Sequence, residues 1–130
     1  MPGMSTYLEN MALNWFRGAA FAAPPTVYVA LFDGDPTDAG TGGTENTVKV
    51  RAAGRPVATF AAPALQSIAN SAVVDYGNAA QATQFSHFAL YDAAAGGNML
   101  ASAALAGGAQ AVTVGTAVRF AVGALVVAAS

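Results

Sequence analysis

The hydrophobic positions of the chain repeat with a helical period near its start and with a strand period after Pro25. Leu8, Met11, Ala12 and Trp15 fall at i, i+3, i+4 and i+7, one face of a helix. Thr6-Tyr-Leu-Glu9 has the form of a capping box, with Thr6 as N-cap and Glu9 reaching back to its amide, and Gly18 marks the stop. Residues 1–18 are therefore expected as an N-terminal helix. It either lays its stripe on the chain's own sheet or, through the Ala23-Pro-Pro25 connection, docks as an arm on a neighbour. Leu8, Met11 and Trp15 are its candidate contact residues.

Period two begins at Thr26-Val-Tyr-Val-Ala-Leu-Phe-Asp33. Val27, Val29 and Leu31 share one face, and Tyr28, Ala30 and Phe32 share the other. Both faces are apolar, which predicts a strand in the middle of a sheet or between layers. Asp33 to Asn46 holds Gly34, Pro36, Gly40, Gly42 and Gly43 and reads as a long surface loop, its glycine run mobile or ordered by a partner. Further strands are expected at Arg55–Phe60, with Pro56 at the start where a missing N–H does least harm, and at Ser71–Tyr76. Phe85 to Leu105 reads as a hairpin whose turn is written by Asp92, Gly96, Gly97 and Asn98. Ala111–Val114, Ala117–Val122 and Ala124–Ala128 supply the last strands. Seven or eight short strands about a dozen residues apart, with one leading helix, predict an all-β fold: a single antiparallel β-sandwich or jelly-roll domain over residues 1–130.

Composition changes this picture in one respect. Charged residues are 9% of the chain, against about 25% in an ordinary soluble domain. A surface so poor in charge is explained if partners cover much of it, which predicts a homo-oligomer or a larger assembly. The net charge of −2 argues against nucleic acid, which requires a basic face. The longest apolar tract, Phe120 to Ala129, is too short to span a membrane, and the capped amphipathic start is unlike a secretory signal. The chain is thus expected to be soluble. With no cysteine, disulfides and thiolate metal sites are excluded.

The candidate chemistry reduces to contacts. Asp33, Asp35 and Asp38 invite a calcium test, but Pro36 breaks the spacing and Glu45 falls one place beyond the usual twelfth position. Asp35 and Asp38 read better as loop residues bonding their own backbone, and as candidate partner-contact residues on that loop. His87 neighbours Ser86, and adjacent strand residues point to opposite faces, so no nucleophile–base pair is expected there. Gly40-Thr-Gly-Gly-Thr44 lacks the ending of a phosphate loop. Arg51 and Arg55 are candidates for an acidic neighbour, and the turn from Asp92 to Asn98 is a candidate contact loop. No catalytic set, metal site or cofactor site is expected.

These segments carry a resemblance. Tyr7-Leu-Glu-Asn10 in a leading helix, Pro25-Thr-Val-Tyr-Val-Ala-Leu-Phe32 followed by Asp35-Pro-Thr-Asp-Ala-Gly-Thr-Gly42, His87-Phe-Ala-Leu-Tyr-Asp-Ala-Ala-Ala-Gly-Gly-Asn-Met-Leu100, and Val114-Gly-Thr-Ala-Val-Arg-Phe120 resemble, in that order, small virion proteins of tailed bacteriophages often labelled "phage tail fibre protein". The likeness runs from about Tyr7 to Leu125. It implies a structural component of a phage particle, assembled in the host cytoplasm. The first expectation is a capsid decoration or cement protein, a dimer or trimer clamping neighbouring major capsid subunits. The alternative is a tail, collar or tail-fibre-associated protein.

Overall fold

A computed structural model of the chain describes residues 3–20, 22–46, 49–50 and 54–128. Twelve strands and one helix lie among them: β1 (Gly3–Met4), α1 (Thr6–Phe16), β2 (Val27–Asp33), β3 (Thr44–Glu45), β4 (Val57–Ala58), β5 (Ser67–Ala69), β6 (Val74–Asn78), β7 (Thr83–Phe85), β8 (His87–Tyr91), β9 (Met99–Ala104), β10 (Gln110–Val112), β11 (Ala117–Phe120) and β12 (Val126–Ala128). The expected all-β sandwich with one helix is what forms. Six strands make one antiparallel sheet in the order β1-β9-β8-β2-β3, with β4 beside the start of β2, and the other six form the ribbons β10-β7, β11-β6 and β12-β5.

The two apolar faces of β2 explain the architecture. In the register, Val29 lies opposite Leu90 and Leu31 opposite Phe88, while Ala30 lies opposite Ala89 and Tyr28 opposite Tyr91. Directly paired residues share a face. Val29, Leu31, Phe88, Leu90 and Ala101 therefore point to one side, where Val74, Tyr76, Val118 and Val127 of the ribbons, with Leu125 just before β12, close the main core. Ala30, Phe32, Ala89, Tyr91 and Met99 form a second, smaller core on the opposite side. Two polar groups stitch the main core. The Tyr76 hydroxyl donates to the Val29 carbonyl at 2.5 Å, and Asn70, 1% exposed, uses both its amide and its backbone. Its Nδ2 donates to the Ala72 and Ala121 carbonyls, its Oδ1 accepts from the Leu125 N–H, and its own N–H and carbonyl bond Leu125 and Gly123.

Several boundaries differ from the sequence expectation, each for a local reason. The N-cap is Ser5, one residue before Thr6. Ser5 is extended, and its Oγ accepts from the Leu8 N–H while donating to the Met99 carbonyl, a buried bond that Thr6, on the exposed side, does not make. The strand at Arg55–Phe60 shortens to Val57–Ala58, with Phe60 in a lone bridge to Asn70. The strand expected at Ser71–Tyr76 moves to Val74–Asn78, because Asn70 turns the chain at Ala72. The strands Ser67–Ala69 and Thr83–Phe85 were not expected; Ser67–Ala69 finds its partner only far along the chain, at Val126–Ala128.

The loop from Asp33 to Asn46 differs most. Thr44 and Glu45 return to pair with Asp33 and Phe32, closing it as a hairpin. A Cβ on Gly42 would lie 2.4 Å from the Asp35 carbonyl, and one on Gly43 would lie 2.7 Å from the Gly34 carbonyl. The glycine run therefore serves close backbone approach rather than mobility.

Candidate functional site

Two surfaces collect the residues expected to make contacts. The first is a platform of two loops over the smaller core. Arg55 organises it from below. Its Nε and Nη2 grip the Glu45 carboxylate side-on, each at 2.8 Å, its Nη1 donates to the Ala93 and Gly96 carbonyls, and its Cζ lies over the Tyr91 ring, 3.7 Å from the ring centre. The Tyr91 ring in turn stacks on Phe32 at 6.4 Å. With its side chain only 9% exposed, Arg55 binds an acidic neighbour within its own chain and presents little of its charge to another. Burial works against that charge, but the hydrogen bond and the charge of Glu45 outweigh it and push the pKa above its ordinary value. Burial, reinforced by the Glu45 charge, likewise pushes the Tyr91 phenol up.

Arg55 thereby ties β3 to the turn that joins β8 and β9. Inside that turn Asp92 accepts from the Asn98 N–H at 2.7 Å and from the Asn98 side-chain amide at 3.1 Å. The Asn98 backbone bond is the main cause of a carboxyl held below its ordinary value. The neighbouring loop, residues 34–43, is ordered by an Asx turn in which Asp35 accepts from the Thr37 N–H at 2.8 Å. Thr37 adopts φ 66° there, and Pro36 is fully buried beneath it. Asp38 is half-buried, and its carbonyl accepts from the Thr6 N–H, which joins this loop to the start of α1. Arg55, Asp92 and Asn98 thus come together on one platform, with Asp35 and Asp38 on its second loop. Arg51 lies outside the described residues.

The second surface is the end of α1. Leu8, Met11 and Ala12 are half-buried on the sheet, as their spacing predicts, whereas Trp15 on the same stripe is 63% exposed. Leu13 and Phe16 beside it are 60% and 77% exposed, and the Trp15 and Phe16 rings meet edge-on at 5.7 Å. The helix runs past the edge of what it covers. Leu13 and Phe16 went unread as contact residues. The signal was present, since two adjacent aromatics at 15 and 16 point about 100° apart on a helix and cannot both face one sheet.

Ser86 and His87 correct an expectation. The Ser86 Oγ and His87 Nδ1 lie 2.8 Å apart. Alternation fails because the chain changes sheets at Ser86: Phe85 pairs with Gln110 in a ribbon, whereas His87 pairs with Phe32 in the large sheet. Ser86 Oγ also accepts from the Gly34 N–H at 3.0 Å, so the pair anchors the end of β2 to the start of β8. Among the described residues no carboxylate hydrogen-bonds the imidazole, and Asp75 pairs instead with Arg119 at 3.2 Å. No cluster of three metal-ligating side chains occurs among the described residues, and no helix there is long and apolar enough to cross a membrane.

The family model of the podophage GP4 fiber I protein gp80 matches residues 3–128, and the chain belongs to that family. It is a phage structural protein of the tail-fibre type. No curated protein matches the chain.

Proposed function

We propose that the chain is a small subunit of a podophage tail-fibre apparatus, which uses the two-loop platform of residues 34–43 and 92–98 to seat against a neighbouring virion protein. The observation that supports this most is the Arg55 clamp. Four of the five guanidinium N–H groups hold loops in place, so the platform loses little conformational freedom when it binds, and pre-organisation of this kind raises affinity without added area. Membership of a family of fiber proteins favours the tail over the shell.

A capsid decoration protein that clamps major capsid subunits is the second reading. The low charge of 9% supports it, because repeated contacts over a shell would cover much of the surface and add through avidity. Copy number separates the two. Quantitative mass spectrometry of purified particles, with labelled antibody against the chain in electron microscopy, is expected to find single or low double-digit copies at the tail. Hundreds of copies spread over the capsid would overturn the fibre reading in favour of decoration.

A further inference from the structure

The second layer of the sandwich is split where the chain's connectivity would have closed it. β10 and β11 are joined by the turn 113–116, in which the Thr116 N–H donates to the Thr113 carbonyl, yet they do not pair. β10 pairs with β7 and β11 with β6, and the Cα atoms of β10 and β11 stand more than 8 Å apart over most of their length. Paired strands stand about 4.8 Å apart, and one inserted strand needs two such spacings. The cleft between them, about 340 Å³, is lined by β10 and β11 and by no residue of β6, so the open edges of both ribbons face it. The buried Phe85, Leu105 and Val118 also line it.

The register shows which backbone groups β10 offers. The Gln84 carbonyl accepts from the Asn46 side-chain amide, and Asn46 is itself bonded to Leu31 of β2, on the far side of β7 from β10. Gln84 lies opposite Ala111. The two therefore form the antiparallel pair whose members turn N–H and carbonyl away from each other. Ala111 aims both groups at the cleft.

We propose that this cleft receives an extended, uncharged segment of a different protein, added as a strand on β10 with an apolar side chain directed at Phe85, Leu105 and Val118. Backbone chemistry selects a strand. An extended chain repeats its donors and acceptors about every 3.3 Å, which matches an open edge, whereas a helix spends those groups internally. Every described strand of this chain already has a partner. A second copy would therefore have to bring a whole ribbon into a cleft that β11 walls off. The one charged side chain lining the cleft, Arg119, holds Asp75 at 3.2 Å, so selection rests on backbone and shape rather than charge. Edges that stay open in solution are commonly guarded by charge or proline, and Ala109-Gln-Ala-Val112 has neither. The cleft is separate from the two-loop platform, and the inference does not depend on where in the particle the chain sits.

Blocked pentapeptides, acetyl-Thr-Xaa-Thr-Xaa-Thr-amide with Val, Leu or Phe at Xaa, probe the cleft of the full-length chain. At millimolar peptide, hydrogen exchange of the Ala111 amide, read by NMR, is expected to slow by about tenfold or more with at least one of them. Methylating the amides of alternate peptide residues, each set in turn, is expected to weaken binding about tenfold or more for the set that faces β10, since a hydrogen bond is lost and the methyl meets the edge. Ala111→Pro removes the N–H aimed at the cleft and leaves those of Gln110 and Val112, so it is expected to weaken binding by a similar factor. Circular dichroism checks that this variant folds, and the methylated peptides test the same bond on the unaltered chain. An Ala111 amide unprotected by every peptide overturns the proposal. So does binding indifferent to both methylated sets, which would mark an apolar pocket rather than an edge. Protection that rises with protein concentration alone, together with a doubling of mass, would overturn it in favour of a second copy.

Discussion

The two faces of the central sheet are covered by different means. On one face Val29, Leu31, Phe88 and Leu90 meet apolar side chains carried on ribbons with their own ladders. On the other, Ala30, Phe32, Ala89, Tyr91 and Met99 lie under loops that have no ladder to hold them over most of their length. Loops must therefore be fixed one hydrogen bond at a time, and charged and polar groups do it: Arg55 on Glu45, Asp92 on Asn98, Ser5 on Met99. A face covered by strands is held by volume, which is non-directional and cooperative. A face covered by loops is held by geometry, which is local and sensitive to single atoms. The candidate contact platform belongs to the second kind.

That contrast breaks first at Phe88, 1% exposed in the main core. Phe88→Ala is expected to cost about 3–5 kcal/mol, read as a lower urea midpoint with hydrogen-exchange protection lost in all strands together. Arg55→Met is expected to cost about 2–3 kcal/mol, below the full penalty for breaking a buried pair because the Glu45 side chain keeps 18% of its exposure. Its exchange should rise first in residues 92–98 and 44–45, before global unfolding. Arg55→Lys should recover little, since an ammonium cannot span Glu45, Ala93 and Gly96 with one planar fork. Simultaneous global loss of protection in Arg55→Met would erase the distinction between the two faces.

Much of the strand-covered face was legible in the sequence, because period two on both sides of β2 states where it must lie, and Asp92, Gly96, Gly97 and Asn98 state where the β8–β9 turn must be. Ser67–Ala69 was not legible. Three residues are too few to show alternation, and its partner strand lies some sixty positions away. The break at Ser86 was hidden for a related reason, since Phe85 to Tyr91 reads as one strand and only the third dimension shows two sheets sharing it. Of the contact platform, the sequence gives the turn residues but not the clamp. Arg55 and Glu45 are separated by a segment whose path no periodicity describes, and nothing in either residue marks an ion pair rather than two solvated charges. The helix stripe told which residues face the sheet. Where the sheet ends beneath Trp15 depends on strand lengths that no local pattern encodes.

Two neighbouring glycines sharpen the claim that the loop face is held atom by atom. Gly96 and Gly97 both take positive φ, 62° and 75°. A Cβ on Gly96 meets nothing within 4 Å, whereas one on Gly97 would lie 2.5 Å from the Asp92 carboxylate and 2.7 Å from the Ala93 Cβ. Gly96→Ala should therefore cost about 1 kcal/mol from backbone strain alone. Gly97→Ala should cost about twice that, since it also displaces the carboxylate that closes the turn. Equal costs, by chemical denaturation, would mean that the Asp92 contact contributes nothing.

Asp92 itself supplies the smallest effect and the most specific one. Its carboxyl is held below the ordinary value by the Asn98 backbone N–H, with the Asn98 side chain adding to it. A depressed folded-state pKa gives stability that is fully present above the unfolded value and is lost as pH falls through the folded value. The turn is thus expected to tighten the protein at neutral pH and to release that increment only in strong acid. Asp92→Asn keeps the shape but removes the charge, and should cost about 1 kcal/mol at neutral pH. Its unfolding midpoint should converge on that of the parent chain as both are acidified. The main-core variant Phe88→Ala carries no such dependence, so its deficit should persist to the same low pH. If the gap between Asp92→Asn and the parent stays constant across that range, the turn is held by something other than the carboxylate.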